Sequence, residues 1–406
     1  MCGVAPNRYK WSVVGMLWSI SFFNYADRQA VFAIFPLLEK ELHLTPVQLG
    51  LLGSSFAVTY GLCALGAGAI VDRVRRVSAI LWGLHVWSGI CMATAVSRTF
   101  GQLLAFRAAE GLGETLYFPA SMSLISDYHG RDTRSRAMGL HQTSVYVGTV
   151  AGGFFAGLIG QRYGWRWSFL VFGGAGIVLG LVLRRYLVEP ARTQGPAGNA
   201  PHGFQFARRG AVLCLMAAFL CANFVAVVLL SWMPKFLYDK FHMNLAMAGL
   251  TATLFAQLAS MIGAPAGGWL ADLLRRRTAG GRIAVQALGV FAGAPFVILC
   301  GLTTSTAWLV TALALWGFCK GIYDANIFAS VYDVIPPESR GAAAGMMNTV
   351  GWLGGGAAAP LAIGILAESY GLSIAIALAS AVYLAAGTFL LIALVFFVKR
   401  DTEKLA

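Results

Sequence analysis

Seven side chains able to carry charge interrupt stretches that are otherwise apolar: Asp27, Arg28, Arg107, Glu110, Glu114, Lys320 and Asp324. Arg107, Glu110 and Glu114 are spaced three and then four apart, which aligns them along one stripe of a helix. Such a stripe puts a fixed cation, suited to hold an anion, beside carboxylates that can take up a proton. Asp27 and Arg28 are adjacent, and adjacent helical positions point about 100° apart, so they cannot neutralise each other along one face. One of them must reach toward another helix. Lys320 and Asp324, one turn apart, have the spacing of an internal ion pair. Ionisable groups at membrane depth cost at least a few kcal/mol, so all seven are functional candidates.

The elements that must position them follow from composition. The chain has 406 residues, 58% hydrophobic and 12% charged. A soluble domain averages roughly 45–50% apolar and about 25% charged, so an ordinary soluble protein is excluded. A spanning helix needs about 20 apolar residues. Twelve such stretches are expected: Trp11 to Pro36, Val47 to Val71, Val77 to Val96, Phe100 to Tyr128, Ala137 to Gly160, Trp167 to Leu187, Ala211 to Phe236, Met247 to Leu270, Ile283 to Leu302, Ala307 to Ile335, Ala342 to Ala367 and Leu372 to Val398. The first contains Asn24, Asp27 and Arg28 and has no small-residue cleavage site, so it reads as a helix rather than a signal peptide.

Arginines and lysines gather in alternate loops, among them Arg73, Arg75 and Arg76, then Arg131, Arg134 and Arg136, then Arg275, Arg276, Arg277 and Arg282. The positive-inside rule makes that side, with both termini, cytoplasmic. The net charge of +13 thus reports orientation, not a nucleic-acid partner. The seven cysteines form no CxxC pair and read as packing residues.

Two blocks repeat. Gly68, Asp72 and Arg76 follow the second stretch as G-x-x-x-D-x-x-x-R and recur as Gly268, Asp272 and Arg276 after the eighth. Asp127, Arg134, Gly139 and Gln142 recur as Asp333, Arg340, Gly345 and Asn348 at nearly the same offset, which also makes Lys320 the counterpart of Glu114. The expectation is an all-α membrane protein of twelve transmembrane helices in two six-helix bundles, 1–188 and 210–406, joined by a cytoplasmic linker over 189–209. An aspartate at a helix end beside arginines can hold a neighbouring helix end in one conformation and release it in another. Gly68, Asp72, Arg73, Arg76, Asp272 and Arg276 are therefore the expected gate.

Twelve spans in two repeats, with Gly68-Ala69-Ile70-Val71-Asp72-Arg73-Val74-Arg75-Arg76 after the second, resemble the major facilitator superfamily; Arg75 stands where its pattern usually has glycine. Asn24-Tyr25-Ala26-Asp27-Arg28 resembles the N-Y-x-D-R of that superfamily's anion:cation symporters, carriers of sugar acids and other organic anions. Arg107, Gly111 to Glu114 and Phe118-Pro119-Ala120 are similar to the same family's fourth span, and Tyr163-Gly164-Trp165-Arg166-Trp167-Ser168-Phe169 to its loop between the fifth and sixth spans. Asp333-Val334-Ile335-Pro336-Pro337-Glu338 with Gly345 and Asn348 resembles its tenth-to-eleventh region.

The resemblance implies that Arg28 and Arg107 hold a substrate carboxylate while Asp27 and Glu114 carry protons. Tyr25, within the motif, and Tyr60, Asn348 and Trp352 would be further substrate contacts. Glu110 joins the proton-coupling group, its simpler role being a constant partner for Arg107. Lys320 is a candidate substrate contact outside the family pattern, and Asp324 its partner. The Spinster lysolipid and sphingolipid transporters share N-Y-x-D-R and the R-x6-E of the fourth span, so a lipid carrier is the alternative. A drug/proton antiporter would have a proline in Gly148 to Gly153, and this chain has none.

Gly148 and Gly152, Gly153 and Gly157, and Gly263 and Gly267 are each four apart, the spacing of close helix approach. His85 and His141 read as interhelical hydrogen-bonding groups. No cysteine or histidine cluster has metal-ligand spacing and no GxxxxGK[ST] loop is present, so neither a cofactor nor ATP-driven pumping is expected. A membrane enzyme would need a nucleophile beside a base, and a receptor a signalling tail; only Lys399 to Ala406 follows the last span. The reading is a monomeric carrier in the inner or plasma membrane, surrounded by lipid. It would move a small organic anion with protons by alternating access.

Overall fold

A computed structural model describes residues 7–190, 209–278, 280–336 and 339–403, so the expected linker lies almost wholly outside the described residues. The described chain is helical throughout. The first half contains α1 (Asn7–Ala33), α2 (Phe35–Leu42), α3 (Pro46–Arg73), α4 (Arg76–Thr94), α5 (Phe100–Glu114), α6 (Tyr117–Tyr128), α7 (Arg131–Tyr163) and α8 (Trp165–Leu183). The second contains α9 (Gly210–Phe241), α10 (Leu245–Arg275), α11 (Gly281–Leu302), α12 (Thr306–Asp324), α13 (Ile327–Asp333), α14 (Arg340–Val350), α15 (Ala357–Tyr370), α16 (Leu372–Ile392) and α17 (Val398–Glu403). Wider π turns join α14 to α15 over Gly351–Gly356 and α16 to α17 over Ala393–Phe397.

Among the described residues, 10 helical stretches are long and apolar enough to cross a membrane. Two of the twelve expected stretches fall short of that criterion. In α1, Asn24, Asp27 and Arg28 dilute an otherwise apolar helix. The fourth, expected as one helix, is broken into α5 of 15 residues and α6 of 12. The tenth stretch, which also bears charge, still meets the criterion.

The break after Glu114 has a local cause. Pro119, in the first turn of α6, has no N–H to donate to the Thr115 carbonyl, while the Thr115 hydroxyl donates to the Gly111 carbonyl at 2.7 Å. The tenth stretch is also broken, at Ala325-Asn326, directly after Asp324. There the Asn326 amide donates to the carbonyls of Ile322 (3.0 Å) and Gly267 (3.1 Å). A side chain thus takes the place of a backbone donor.

Backbone conformation repeats between the halves. Among the described residues, the two non-glycine residues with positive φ are His43 (51°) and His242 (53°), one ending α2 and the other α9. The positive-φ glycines among the described residues are Gly164 (90°), between α7 and α8, and Gly371 (80°), between α15 and α16. A side chain is strained at such angles, so glycine permits these one-residue reversals between helices.

The chain folds as two compact units. One comprises Met1–Leu44, Ser55–Asn199 and Met243–Leu250; the other comprises Thr45–Ser54, Ala200–His242 and Thr251–Ala406. In the first, Leu17, Ile20, Ile80, Leu84, Trp87 and Leu124 form a fully buried apolar cluster that fixes α1, α4 and α6.

Candidate functional site

In the first unit, α1, α5 and the part of α3 from Ser55 onward bring together seven of the expected site residues. Small residues set the helix separations. A Cβ at Gly111 of α5 would stand 2.2 Å from Thr59 Oγ1 and 2.5 Å from the Phe56 carbonyl oxygen of α3. Gly148 and Gly152 of α7 abut the backbone of Phe22 and Ala26 on α1, where an added Cβ would come within 2.5 Å and 2.4 Å of their carbonyl oxygens. These approaches fix the level of Tyr25, Asp27 and Arg28 within the unit.

Arg28 Nε donates to Glu114 Oε2 at 2.5 Å. Its guanidinium carbon lies 4.8 Å from the Tyr25 ring centre, 4.9 Å from that of Phe56 and 4.6 Å from that of Tyr60. Three aromatic faces thus cradle the cation, each worth about 0.5–2 kcal/mol when desolvated. Arg107 Nη1 donates to Glu110 Oε2 within its own helix, and its guanidinium lies 5.0 Å from the Phe56 ring. Asp27 points elsewhere, toward α4, where Cys91 Sγ donates to its Oδ1 at 3.5 Å. The adjacent Asp27 and Arg28 serve different helices, as their angular separation requires.

Arg107, Glu110 and Glu114 are each only 1% exposed, and Asp27 2%. Asp27 Oδ2, Arg107 Nε and Glu110 Oε1 are buried without a hydrogen-bond partner among the described residues. A buried cluster normally satisfies its polar atoms. Unused donors and acceptors beside two arginines are what a polar ligand would engage. The formal charges are three carboxylates against two guanidiniums.

An interhelical hydrogen bond accounts for His141, whereas His85 Nδ1 meets the Leu81 carbonyl of its own helix at 2.6 Å. His141 Nε2 lies 2.9 Å from the Tyr117 hydroxyl, which donates to the Leu17 carbonyl at 2.6 Å.

The expected gate residues fare unequally. Arg76, at the start of α4 and 4% exposed, pairs with Asp127 and donates to Glu189 (3.1 Å) and Ser123 (3.1 Å). Glu189 also accepts the backbone N–H groups of Arg76 (3.2 Å) and Val77 (2.7 Å), capping α4. Arg73 is exposed at the end of α3, and the surroundings of Gly68 and of the Asp72 side chain lie outside what is described.

In the second unit the pairing falls to another residue than expected. Arg276 is exposed, whereas Arg282, starting α11, donates to Asp272 (3.0 Å) and to Asp333 (3.0 and 3.1 Å). Arg76 and Asp127 are 51 residues apart, as are Arg282 and Asp333. Arg282 is therefore the true counterpart of Arg76. The longer loop before α11 displaced the sequence match to Arg276, and the offset of the Asp127/Asp333 block was the signal that could have corrected it.

The remaining expected residues belong to the second unit. Lys320 and Asp324 form the anticipated ion pair within α12. Asn348 is exposed on α14 and donates back to the Ala344 carbonyl at 3.2 Å. Trp352 lies half-buried in the π turn. Sequence reasoning missed Phe56, which faces both arginines, and Cys91, which holds Asp27. Apolar and thiol side chains in a span carry no signature of such roles.

Comparison with known proteins places the architecture. The Major Facilitator Superfamily profile matches residues 17–359, and a second match covers 236–406. A hexuronate transporter of Bacillus subtilis is 25% identical over 365 residues, 85% of this chain and 86% of that protein. Protein spinster of Drosophila melanogaster is 25% identical over 382 residues, 89% of this chain and 62% of that one. A crystal structure of a bacterial homologue of the human lysosomal transporter Spinster, inward-facing and occupied, superposes with a TM-score of 0.86 at 20% identity. It covers 97% of this chain and 99% of that structure. Taken with the duplicated backbone and buried charges, the comparisons make this chain a membrane transporter, not an enzyme, belonging to the major facilitator superfamily.

Proposed function

We propose that the protein carries a small organic anion, a sugar acid or related carboxylate, together with protons across the inner or plasma membrane. The chain would cross it twelve times, with both termini cytoplasmic, and act as a monomer by alternating access. Arg28 and Arg107 hold the substrate carboxylate, and Tyr25 and Tyr60 flank it. Glu114, Glu110 and Asp27 take up protons. The Arg76 and Arg282 clusters, with Asp72, Arg73 and Asp272, latch the cytoplasmic ends of the helices.

The observation that carries this reading is the Arg28–Glu114 pair, 2.5 Å long and only 11% and 1% exposed. An anion that captures Arg28 removes the counter-charge of Glu114, and a buried carboxylate without a partner is so costly that a proton neutralises it. Substrate and proton therefore enter together. The likeness to a hexuronate transporter supports the same substrate class.

The test is uptake of galacturonate into proteoliposomes under an inwardly directed proton gradient. Accumulation should approach tenfold per pH unit for one proton per electroneutral cycle. Glu114→Gln should abolish accumulation and keep counterflow. Transport of a fluorescent lysolipid with galacturonate ignored would replace this reading with the lipid carrier that the Spinster likeness suggests.

A further inference from the structure

The second unit contains a cavity of about 230 Å³ that the anion reading of the first unit does not use. It is smaller than the roughly 300–1,000 Å³ of pockets that enclose drug-sized ligands, and so is sized for a small metabolite. Lys320 and Asp324 line it and are paired with each other. The rings of Phe219, Phe328, Tyr323 and Tyr383 supply much of the remaining wall.

Tyr323 and Tyr383 are each 1% exposed. The Tyr323 hydroxyl has no hydrogen-bond partner among the described residues, and the Tyr383 hydroxyl and the Trp316 indole N–H make no bond of ordinary geometry. Buried hydroxyls without partners are uncommon where nothing is to be bound. Asn223, also in the wall, spends its amide N–H on the Gly351 carbonyl (2.6 Å) at the start of the π turn, a departure from α geometry that often marks functional sites.

Charge decides what fits. Asp324 is the last residue of α12, where the helix breaks and its carbonyl ends give a partial negative charge. A carboxylate there is disfavoured by the dipole, and a cation is favoured twice over. Four aromatic faces favour an ammonium further. One turn back, Lys320 offers a site for a carboxylate. The pair is neutral in sum, so a simple anion or a simple cation would each leave one charge of the pair unmatched. A ligand carrying both charges replaces both halves of the ion pair at once.

The geometry points to a second binding site in this cavity, for a small zwitterion of the α-amino-acid type. Its carboxylate sits on Lys320, and its ammonium on Asp324 and the α12 terminus. The Tyr323 hydroxyl accepts one of its N–H groups, which selects a primary ammonium over a quaternary one.

The site is tested by titration calorimetry on the full chain in lipid nanodiscs, which needs no transport and so is independent of the anion reading. Glycine and L-alanine should bind. N-acetylglycine, which lacks the ammonium, and glycinamide, which lacks the carboxylate, should bind at least tenfold more weakly, with glycine betaine also weakened. Lys320→Gln and Asp324→Asn should each weaken glycine tenfold or more. Tyr323→Phe, which deletes one hydroxyl and is the least disruptive change, should weaken it severalfold. Equal binding of glycine and N-acetylglycine, no detectable glycine binding, or unchanged affinity in Tyr323→Phe and Asp324→Asn would overturn the assignment and leave the pair as a brace within α12.

Discussion

Replacing Gly111 with alanine tests whether the α3–α5 approach sets the geometry around Arg28. The new Cβ would lie 2.2 Å from Thr59 Oγ1, 2.5 Å from the Phe56 carbonyl oxygen and 3.0 Å from the Tyr60 nitrogen. An unstrained contact of this kind is ~3.5 Å. Thr59 cannot turn away freely, because its hydroxyl donates to the Ser55 and Phe56 carbonyls at 3.0 Å. The Phe56 carbonyl is helix backbone, so α3 and α5 must part by about 1 Å.

That shift draws the Phe56 and Tyr60 rings away from guanidiniums now 4.6–5.0 Å from them. Losing a desolvated cation–π contact costs about 0.5–2 kcal/mol, and 1.4 kcal/mol is about tenfold in affinity. Overpacking costs about 1–3 kcal/mol, offset by at most about 1 kcal/mol of helix propensity gained on replacing glycine. Gly111→Ala should therefore raise the half-saturating galacturonate concentration about tenfold in proteoliposome uptake and lower Tm by a few degrees. Gly101→Ala, on the same helix with nothing within 4 Å of the added Cβ, should leave half-saturation unchanged and should not lower Tm. Wild-type half-saturation and Tm in Gly111→Ala would refute the argument.

Two further predictions concern the loops. Arg282→Ala should destabilise the protein by about 1–2 kcal/mol, since it strips charged hydrogen bonds from Asp272 and Asp333 at a site 18% exposed. Arg276→Ala should be silent in the same thermal melts, and equal effects would restore the sequence match as the true pairing. His129, buried between the Lys10 carbonyl (3.1 Å) and the Thr133 hydroxyl (3.1 Å), has its pKa held below the usual 6.5 by burial. Below about 6.5 the unfolded chain takes up a proton that the folded chain resists, so the contribution is full above that pH and is lost as pH falls through it. Tm of the wild type should accordingly fall more steeply from pH 7.5 to 5.5 than Tm of His129→Gln, and parallel curves would show that His129 does not titrate as argued.

The fold was legible because lipid imposes a coarse rule. Helical runs, their duplication and the basic loops all follow from hydropathy, spacing and the cost of unsatisfied backbone polar groups. Breaks were harder to read. The interruption after Glu114 rests on Pro119 and Thr115, and that after Asp324 on one asparagine side chain. Periodicity cannot register a substitution of one hydrogen-bond donor for another. The paired His43 and His242 were equally hidden, since nothing in their type demands positive φ.

Within the charged cluster, sequence spacing named the members and missed the partnerships. The stripe of Arg107, Glu110 and Glu114 implies a single network on α5. The structure divides it, Glu110 answering Arg107 within the helix and Glu114 answering Arg28 on α1. The division is set by where the neighbouring helix presents its cation, which depends on glycine contacts that carry no charge signal. It also gives the two arginines different roles. Arg107 keeps a partner one turn away on its own helix whatever its neighbours do, while the partner of Arg28 lies on another helix and is lost if α1 and α5 shift. Movement within the first unit would thus act on the Arg28–Glu114 pair first. Among the three carboxylates, Glu114 is then the one whose substitution should uncouple transport most completely.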